Sequence, residues 1–332
     1  VTSALKYIRE PQKRRDPGDF HTSDAFVNNI AEIFGFPPLN YQETSWDLVR
    51  NLNEKRRAGD SQGAIFSAPT GFGKTEAFLG PLYQLLREED LDRVAIVYPS
   101  KALLQDQLGR VLEHLYAIKT NNDDQLSVGV WTGDTAYKPE DVPAENVLFK
   151  GTGSGKQFRL ANCWCGDPQN PHAFRYEGGS THYELVCEHD EGHSFTDEEV
   201  VLNREDIRRE SGPEIVLTTL DSLELFGLKP NYDIISDIDA IVFDGSHLYT
   251  GIRGAHAANI VDNIEAITDH PMLWLGASAT VDDAERFAAK IFPVPDGRIE
   301  GVSPPDEDFD TDHNDHEHYF FLKGTEDGPG VS

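Results

Sequence analysis

Cysteine and long apolar runs are scarce in this sequence. Three cysteines in 332 residues are too few for the disulfide framework typical of small secreted domains. No stretch reaches the roughly 18 consecutive apolar residues of a membrane-spanning helix, and no signal peptide is recognisable. We therefore expect a protein of the reducing cytoplasm rather than a secreted or membrane-embedded one.

Positive charge is scarce too, since 29 Lys and Arg residues face 58 Asp and Glu residues, for a net charge of -29. With 38% hydrophobic residues the chain can still build a core, so we expect an acidic surface. Acidity spread along the whole chain resembles halophilic proteins, whose carboxylates keep them soluble in concentrated salt. At about 1 M salt the Debye length is about 3 Å, so acidity does not exclude a nucleic-acid partner. The alternative is an acidic surface unrelated to any partner.

Short apolar runs alternate with helical stretches along the chain. The length allows two ordinary domains, or one large α/β domain with an insertion. The runs resemble strands buried on both faces of a parallel sheet. The alternation predicts an α/β fold in which helices flank a mostly parallel central sheet. The predicted strands are 63–67, 93–98, 126–131, 214–218, 239–243 and 272–277, and the predicted helices between them are 75–88, 101–118, 253–267 and 282–291.

A glycine-rich loop lies between the first of these strands and the first of these helices. Residues 68–75 read Ala-Pro-Thr-Gly-Phe-Gly-Lys-Thr. In such a loop, backbone N–H groups surround the β- and γ-phosphates of a nucleotide, the lysine adds positive charge and the threonine hydroxyl can hold Mg²⁺. The strict pattern begins with Gly where this chain has Ala68, so an ordinary glycine-rich turn is the alternative. The predicted nucleotide-binding residues of the loop are Thr70, Gly71, Phe72, Gly73, Lys74 and Thr75.

The predicted strand 239–243 is followed directly by a carboxylate. The apolar residues Ile241, Val242 and Phe243 run directly into Asp244. A carboxylate at the carboxyl end of a parallel strand is placed to meet a ligand, here Mg²⁺ beside Thr75. An aspartate that merely begins a turn is the alternative.

Six segments resemble the first RecA-like lobe of the superfamily 2 DEAD/DEAH-box helicases, in order and approximate spacing. They are Lys74 with Thr75, 98–103, 132–134, 218–221, Asp244 with His247, and 278–280. Residues 247–259 further resemble the large helicase-related and DNA-repair branch. The resemblance implies a RecA-like lobe that binds ATP and Mg²⁺ and acts on DNA. The catalytic residues that it implies are Lys74, Thr75, Asp244 and His247.

The resemblance also implies roles for residues outside the phosphate loop. Gln42 would contact the adenine edge, with Tyr41 or Phe36 beside the ring. Ser278 and Thr280 would couple the nucleotide site to the nucleic-acid surface. A turn or helix-capping role is the alternative for the polar residues. The residues that would face the nucleic-acid backbone are Ser100, Lys101, Thr132, Gly133, Thr218 and Thr219.

The chain departs from the family pattern directly after Asp244. The family has an acidic residue there that positions or deprotonates the attacking water, whereas this chain has Gly245. Glycine cannot serve as a base, so we expect nucleotide binding with weak hydrolysis, unless Asp221, Glu224 or another carboxylate substitutes.

The family also needs a second RecA-like lobe, and too few residues follow Thr280 to form one. We therefore expect a fragment or one subunit of a split enzyme, with the second lobe supplied in cis or in trans. The predicted parts are an N-terminal extension (1–39), the RecA-like lobe (40–150 and 213–302), an inserted module (151–212) and an acidic linker toward the second lobe (303–332).

The inserted module contains all three cysteines and several histidines, but no strand is predicted in it. These soft or borderline ligands could close on one tetrahedral Zn²⁺, which would explain how a polar insertion folds with little core. Because Cys-x-Cys is not the spacing of a standard zinc finger, free surface cysteines are the alternative. The candidate ligands are Cys163, Cys165, Cys187, His189 and His193, with His172 and His182 as competitors.

The sequence thus predicts the ATP-binding lobe of an ATP-dependent DNA helicase or translocase. Two other functions remain open. One is a non-catalytic nucleotide- and DNA-binding subunit of a defence or repair complex. The other is a structural zinc-binding interaction protein with a decayed phosphate loop.

Overall fold

The computed structural model describes residues 22–122, 124–145, 148–151, 156–167, 170–179, 182–224, 235, 237–279, 283–295 and 298–305. Thr280, residues 1–21 and residues 306–332 lie outside this part of the chain. Among the described helices, none has the combination of length and apolar character that crossing a bilayer requires. The helices are α1 (Ala25–Phe34), α2 (Asn40–Arg57), α3 (Lys74–Arg87), α4 (Lys101–Asn122), α5 (Arg204–Ile207), α6 (Leu220–Ser222), α7 (Gly251–Ile267) and α8 (Ala284–Ala288). The strands are β1 (Gln62–Ser67), β2 (Val94–Tyr98), β3 (Val128–Trp131), β4 (Phe149–Lys150), β5 (Lys156–Asp167), β6 (Asn170–Gly178), β7 (Tyr183–Cys187), β8 (Ser194–Thr196), β9 (Val200–Val201), β10 (Ile215–Thr219), β11 (Ala240–Asp244), β12 (Leu273–Ser278) and β13 (Ile299–Val302).

Eight strands form one sheet in the order β13-β1-β12-β11-β2-β10-β3-β9. Every neighbouring pair in this order runs parallel. All six strands predicted from the sequence are present as β1, β2, β3, β10, β11 and β12. The predicted α/β fold with a mostly parallel central sheet is therefore confirmed.

The apolar strands are buried because helices cover both faces of this sheet. Successive side chains of a strand point to opposite faces, so a strand buried on both sides must be apolar throughout. In β1, Ala64 and Phe66 join the core that α1 to α4 cover, whereas Ile65 joins the core under α7 and α8. This arrangement explains why the strands appear in the sequence as continuous apolar runs rather than as alternating ones.

Helix α1 belongs to this core although it lies in the predicted N-terminal extension. Asp24 accepts a hydrogen bond from the Phe26 N–H at 2.9 Å and so caps the start of the helix. Ile30 is fully buried against α3 at Gly80, where an added Cβ would lie 2.5 Å from the Ile30 Cγ2 atom. The close approach of the two helices therefore depends on a residue without a side chain.

Arg56, in the last turn of α2, contacts residues that precede two strands of the parallel sheet. Its guanidinium forms an ion pair of 2.6 Å with Asp239, which lies just before β11. It also donates to the carbonyl of Pro271, before β12, at 3.3 Å and to that of Asp90 at 3.1 Å. Only 8% of the Arg56 side chain is exposed, so its ion pair and hydrogen bonds are shielded from solvent.

Residues 149–196 form a second, five-stranded antiparallel sheet in the order β4-β5-β6-β7-β8. The expectation that no strand lies between 151 and 212 was wrong. β6, for example, lacks an apolar run, because only two of its nine residues are buried. After β8 the chain returns to the parallel sheet, since β9 pairs with β3.

The antiparallel sheet shares the main hydrophobic core, which corrects the expectation of an insertion with little core. Its inward-facing apolar side chains pack in the same cluster as Leu108 and Leu112 of α4. Burial of large side chains of this kind stabilises a fold by about 1.5–3 kcal/mol each. The side chains concerned are Phe158, Leu160, Phe174, Leu185 and Phe195.

Candidate nucleotide site and nucleic-acid surface

The glycine-rich loop lies at the carboxyl end of β1 and ends in the first turn of α3. Gly73 begins the helix with a left-handed backbone (φ 72°, ψ 35°). A Cβ at this position would lie 2.3 Å from the Gln42 Nε2 atom, so the loop requires glycine here. Phe72 is 1% exposed and fixes the loop in the core. Its side chain is therefore an anchor, and only its backbone is available to a nucleotide.

Lys74 folds back over this loop. Its Nζ atom donates to the carbonyls of Ala68 at 2.6 Å and Pro69 at 2.8 Å. Burial lowers the pKa of Lys74, and the nearby Asp244 carboxylate opposes that shift. The ammonium thus lies in a largely desolvated place, within electrostatic reach of the carboxylate.

Asp244 ends β11, two strands away from β1 in the sheet. Burial raises its pKa to about 6, against the opposing effects of a hydrogen bond from the Gly245 backbone and of the charges on Lys74 and Arg110. A carboxylate whose charge costs energy in the free protein gains more when a cation arrives. Lys74 and Asp244 thus lie close enough to influence each other's pKa, with Thr75 partly exposed in the first turn of α3.

Gln42 contacts the phosphate loop directly. Its side-chain carbonyl accepts from the Leu39 N–H at 2.9 Å, and its amide donates to the Gly73 carbonyl at 3.2 Å. Of the two aromatic residues expected beside adenine, Tyr41 is fully buried, whereas Phe36 keeps some exposed surface. Phe36 is thus the one that a base could reach.

Hydrogen bonds join the end of β11 to the end of β12. The Ala279 N–H donates to His247 Nδ1 at 3.2 Å, and the Ser246 hydroxyl donates to the Ala277 carbonyl at 3.1 Å. Burial and the charge of Lys74 lower the pKa of His247, which favours the neutral ring that accepts this bond. Ser278 is fully buried between them, and its carbonyl accepts from the Ala68 N–H at 3.3 Å. The predicted coupling segment therefore touches both the phosphate loop and the β11 end.

The structure puts no acidic side chain at position 245. Gly245 has a left-handed backbone (φ 69°), and an added Cβ would lie 3.3 Å from Pro99 Cγ. Of the carboxylates considered as substitutes, Glu224 pairs with His256 at 3.1 Å. Asp221 is exposed in α6.

The residues expected to face nucleic acid lie at the carboxyl ends of β2, β3 and β10, on the same edge of the sheet as the phosphate loop. Lys101 is half exposed and forms an ion pair with Asp134. The Ser100 hydroxyl accepts from the Leu103 N–H at 3.3 Å, which caps α4. Gly133 is exposed beside Lys101. These three positions are accessible to a phosphate backbone.

The three threonines of this set use their hydroxyls within the protein. Thr218 donates to the Trp131 carbonyl at 2.8 Å. Thr132 accepts from the Asp134 N–H at 3.2 Å, and Thr219 shares a hydrogen bond of 3.0 Å with Ser222. All three side chains are buried. Their contribution to a nucleic-acid surface would be to shape the loops rather than to bind phosphate with the hydroxyl.

Two arginines near the site were not singled out from the sequence. Arg204 donates to the carbonyls of Thr132 at 3.1 Å and Gly133 at 2.9 Å and so holds that turn. Arg110 of α4 lies close enough to Asp244 to lower the pKa of that carboxyl. Arg204 is 71 residues from Gly133, so only the folded chain reveals this contact.

The cysteine and histidine candidates divide into two overlapping groups. One contains Cys163, Cys165, Cys187 and His193, and the other contains Cys165, His172 and His189. His182 lies outside both groups and faces Asp197 at 3.5 Å.

Residues 45–140 match the family model of the DEAD/DEAH box helicases. This part of the chain is thus similar to a DEAD/DEAH-box helicase domain. This segment includes the phosphate loop, α4 and the turn at Gly133, so the helicase match covers much of the site described above.

Solved structures of helicases share the fold of this chain. The DUF1998 helicase MrfA superposes with a TM-score of 0.54 at 18% identity, covering 85% of this chain and 33% of that one. The helicase Lhr of Mycobacterium smegmatis, bound to ssDNA and AMP-PNP, gives 0.51 at 20% identity, covering 85% and 28%. Among curated proteins, the Druantia protein DruE of Escherichia coli (strain UMEA 4076-1) is 22% identical over 323 residues, covering 79% of this chain. The chain spans a third or less of the length of these structures and 17% of DruE.

Proposed function

We propose that this chain is the ATP-binding lobe of an ATP-dependent DNA helicase or translocase, working with a second RecA-like lobe supplied in cis or in trans. The observation that carries the proposal is that the loop of Lys74 follows β1 and Asp244 ends β11, so that both lie at the carboxyl edge of the parallel sheet and influence each other's pKa. The helicase match over residues 45–140 supports it independently.

The chain supplies groups of the right chemistry for a magnesium-bound triphosphate. Lys74 can exchange its two carbonyl partners for phosphate oxygens, which carry more negative charge. Thr75 and Asp244 would hold Mg²⁺, which neutralises phosphate charge when bound. The hydrogen bond between His247 and Ala279 would transmit the state of this site to the strand end at Ser278.

DNA is the proposed partner because of the neighbours and the accessible loop ends. MrfA has been solved bound to DNA and Lhr bound to ssDNA. In this chain Ser100, Lys101 and Gly133 lie accessible along one edge and can hold phosphates without reading sequence. The ion pair between Lys101 and Asp134 would have to open for Lys101 to engage a phosphate.

Gly245 favours one specific second candidate, a nucleotide- and DNA-binding subunit that does not turn over. A water-positioning or general-base group contributes about 10²- to 10⁴-fold to the rate. Of the two carboxylates that could substitute, Glu224 is paired with His256 and Asp221 is exposed in α6. We therefore expect slow hydrolysis by the native lobe.

Phosphate release tests both candidates. The chain joined to its second lobe is assayed with and without DNA as the native protein and as Gly245→Glu and Gly245→Ala. Both variants place a Cβ in the left-handed backbone beside Pro99, but only the first adds a carboxylate. We expect slow DNA-stimulated release from the native protein and an increase of about 100-fold or more in Gly245→Glu alone.

The other outcomes separate the candidates. No release from the native protein with strong release from Gly245→Glu would favour the non-catalytic subunit. Absence of DNA-stimulated release from all three proteins would contradict the helicase proposal.

A further inference from the structure

We propose that the antiparallel sheet holds one structural Zn²⁺ ion on three thiolates and one imidazole. The ligands are Cys163, Cys165, Cys187 and His193. This proposal does not depend on the function proposed above. It selects one ligand set from the seven residues that the sequence left open.

The four ligand atoms already have nearly the spacing of a tetrahedral site. Cys163 Sγ lies 3.3 Å from His193 Nδ1, and Cys165 Sγ lies 3.5 Å from Cys187 Sγ. All four atoms lie within 4.8 Å of one another. Zinc bonds of about 2.3 Å to sulfur and about 2.0–2.1 Å to nitrogen place tetrahedral ligands roughly 3.5–3.8 Å apart. Small side-chain adjustments therefore suffice to enclose the ion.

The folded sheet also explains the Cys-x-Cys spacing. Cys163 and Cys165 lie two residues apart on β5, and residues at this spacing in a strand point to the same face. The pairing of β5 with β6 is irregular between Cys163 and Asp167. Cys187 ends β7 and His193 directly precedes β8. A strand and a hairpin thus supply the ligands, without the helical finger whose spacing the sequence fails to match.

Groups around His193 hold it in the orientation that a metal ligand needs. Its Nδ1 atom faces sulfur, while its Nε2 atom lies 3.8 Å from a carboxylate oxygen of Asp190. Metal-binding histidines commonly direct their second nitrogen to such a carboxylate. The ring packs against both Tyr116 and Trp164, at centroid distances of 4.8 and 4.7 Å. The His193 carbonyl also accepts from the Cys187 N–H at 3.0 Å.

The second group of candidate ligands is less suited to zinc. His172 Nδ1 lies 3.1 Å from Cys165 Sγ, and the His189 ring stacks on His172 at 4.3 Å. This group offers a single thiol, Cys165, whereas the first offers three. Because soft thiolates favour zinc, the set with three sulfurs is preferred.

Zinc at this place would join strands of the antiparallel sheet next to their contact with α4. Cys163 and Cys165 flank Trp164, whose ring lies 5.2 Å from Tyr116 of α4. Phe174 and Phe195 pack against the same tryptophan. The ion would link β5, the end of β7 and the following turn above this aromatic cluster.

The test is the metal content of the intact 332-residue chain, purified under reducing conditions and measured by mass spectrometry. We expect one zinc per chain. His193→Ala should weaken zinc retention against a chelator about tenfold or more. His189→Ala is the matched control, because it removes a nearby imidazole outside the proposed set, and it should retain zinc as the native chain does.

A cobalt spectrum of the native chain keeps the test decisive if His193→Ala fails to fold. Co²⁺ added to the folded, metal-free native chain should give the visible bands of a tetrahedral site together with sulfur-to-metal charge transfer. His193→Ala should alter that spectrum, whereas His189→Ala should not.

Three results would overturn the proposal. They are a native chain that takes up neither zinc nor cobalt, a disulfide between Cys165 and Cys187 in the purified protein, and loss of zinc in His172→Ala or His189→Ala with retention in His193→Ala.

Discussion

At the residue scale, the burial of Asp244 disfavours the negative charge that binding a cation would need. Burial raises its pKa to about 6 in the free protein, so its charge is unfavourable there. Magnesium binding would require that same charge. The charge of Asp244 therefore destabilises the folded lobe, and this effect is measurable.

Asp244→Asn tests this effect through the pH dependence of stability. The folded pKa of about 6 lies above the ordinary value of 3.8, so the contribution of Asp244 is fully present below about pH 3.8 and is lost as the pH rises through 6. The asparagine variant lacks this loss. We expect similar unfolding free energies near pH 4, and a variant more stable than the native chain by up to about 3 kcal/mol above pH 7. Urea denaturation across this range measures the difference.

The opposite trend would contradict the account. If Asp244→Asn lost stability relative to the native chain as the pH rose, the charged carboxylate would stabilise the folded lobe. Burial would then not raise the pKa of Asp244.

At the element scale, the buried ion pair and hydrogen bonds of Arg56 hold α2 to the sheet. Its partners, Asp239 and the carbonyls of Asp90 and Pro271, precede three different strands. Because the guanidinium and carboxylate are both largely buried, removing one leaves the other without its partner in a poorly solvated place.

Arg56→Ala should therefore lower the unfolding free energy by about 3–5 kcal/mol. The adjacent Arg57 is the matched control, since it pairs with Asp90 but is 57% exposed. Arg57→Ala should cost no more than about 1 kcal/mol. Chemical denaturation of both variants measures the two unfolding free energies. Equal decreases in the two variants would show that burial of Arg56 does not strengthen its interactions.

The elements also show what could be predicted from the sequence. The parallel strands were predictable because burial on both faces requires runs such as Ile241 to Phe243. The places of the Lys74 loop after β1 and of Asp244 at the end of β11 were predictable because each directly follows an apolar run in the sequence, whereas their roles stay predictions. The antiparallel sheet was not, because β6 buries only two of its nine residues and the sheet shares a core contributed by the distant α4. The internal hydrogen bond of Thr218 to Trp131 likewise depends on strands 87 residues apart.

At the scale of the whole molecule, the excess of acidic residues sets the response to salt. A net charge of -29 on 332 residues repels itself in dilute buffer. Ion pairs are present, but several are as exposed as that between Lys55 and Glu300, with about half of each side chain accessible. Such pairs contribute little stability. Screening of the net repulsion should therefore dominate.

We accordingly expect the melting temperature to rise by about 5 °C or more between about 0.1 and 1 M KCl, as the Debye length falls from about 10 to 3 Å. Sucrose at matched osmolality is the control for general exclusion of co-solutes from the protein surface. A melting temperature that is unchanged or lower in KCl would count against an adaptation to salt.

The central claim is that Lys74 and Asp244 form one nucleotide site, and equilibrium binding of a fluorescent ATP analogue with Mg²⁺ tests it most directly. The 332-residue chain is compared with Lys74→Ala and with Lys101→Ala, which removes an exposed lysine at the same edge of the sheet. We predict that Lys74→Ala weakens binding about 10- to 100-fold, because charge-assisted hydrogen bonds to phosphate are lost. Lys101→Ala should bind as the native chain does. A folded native chain that binds no nucleotide at about millimolar concentration, or equal losses in the two variants, would contradict the account.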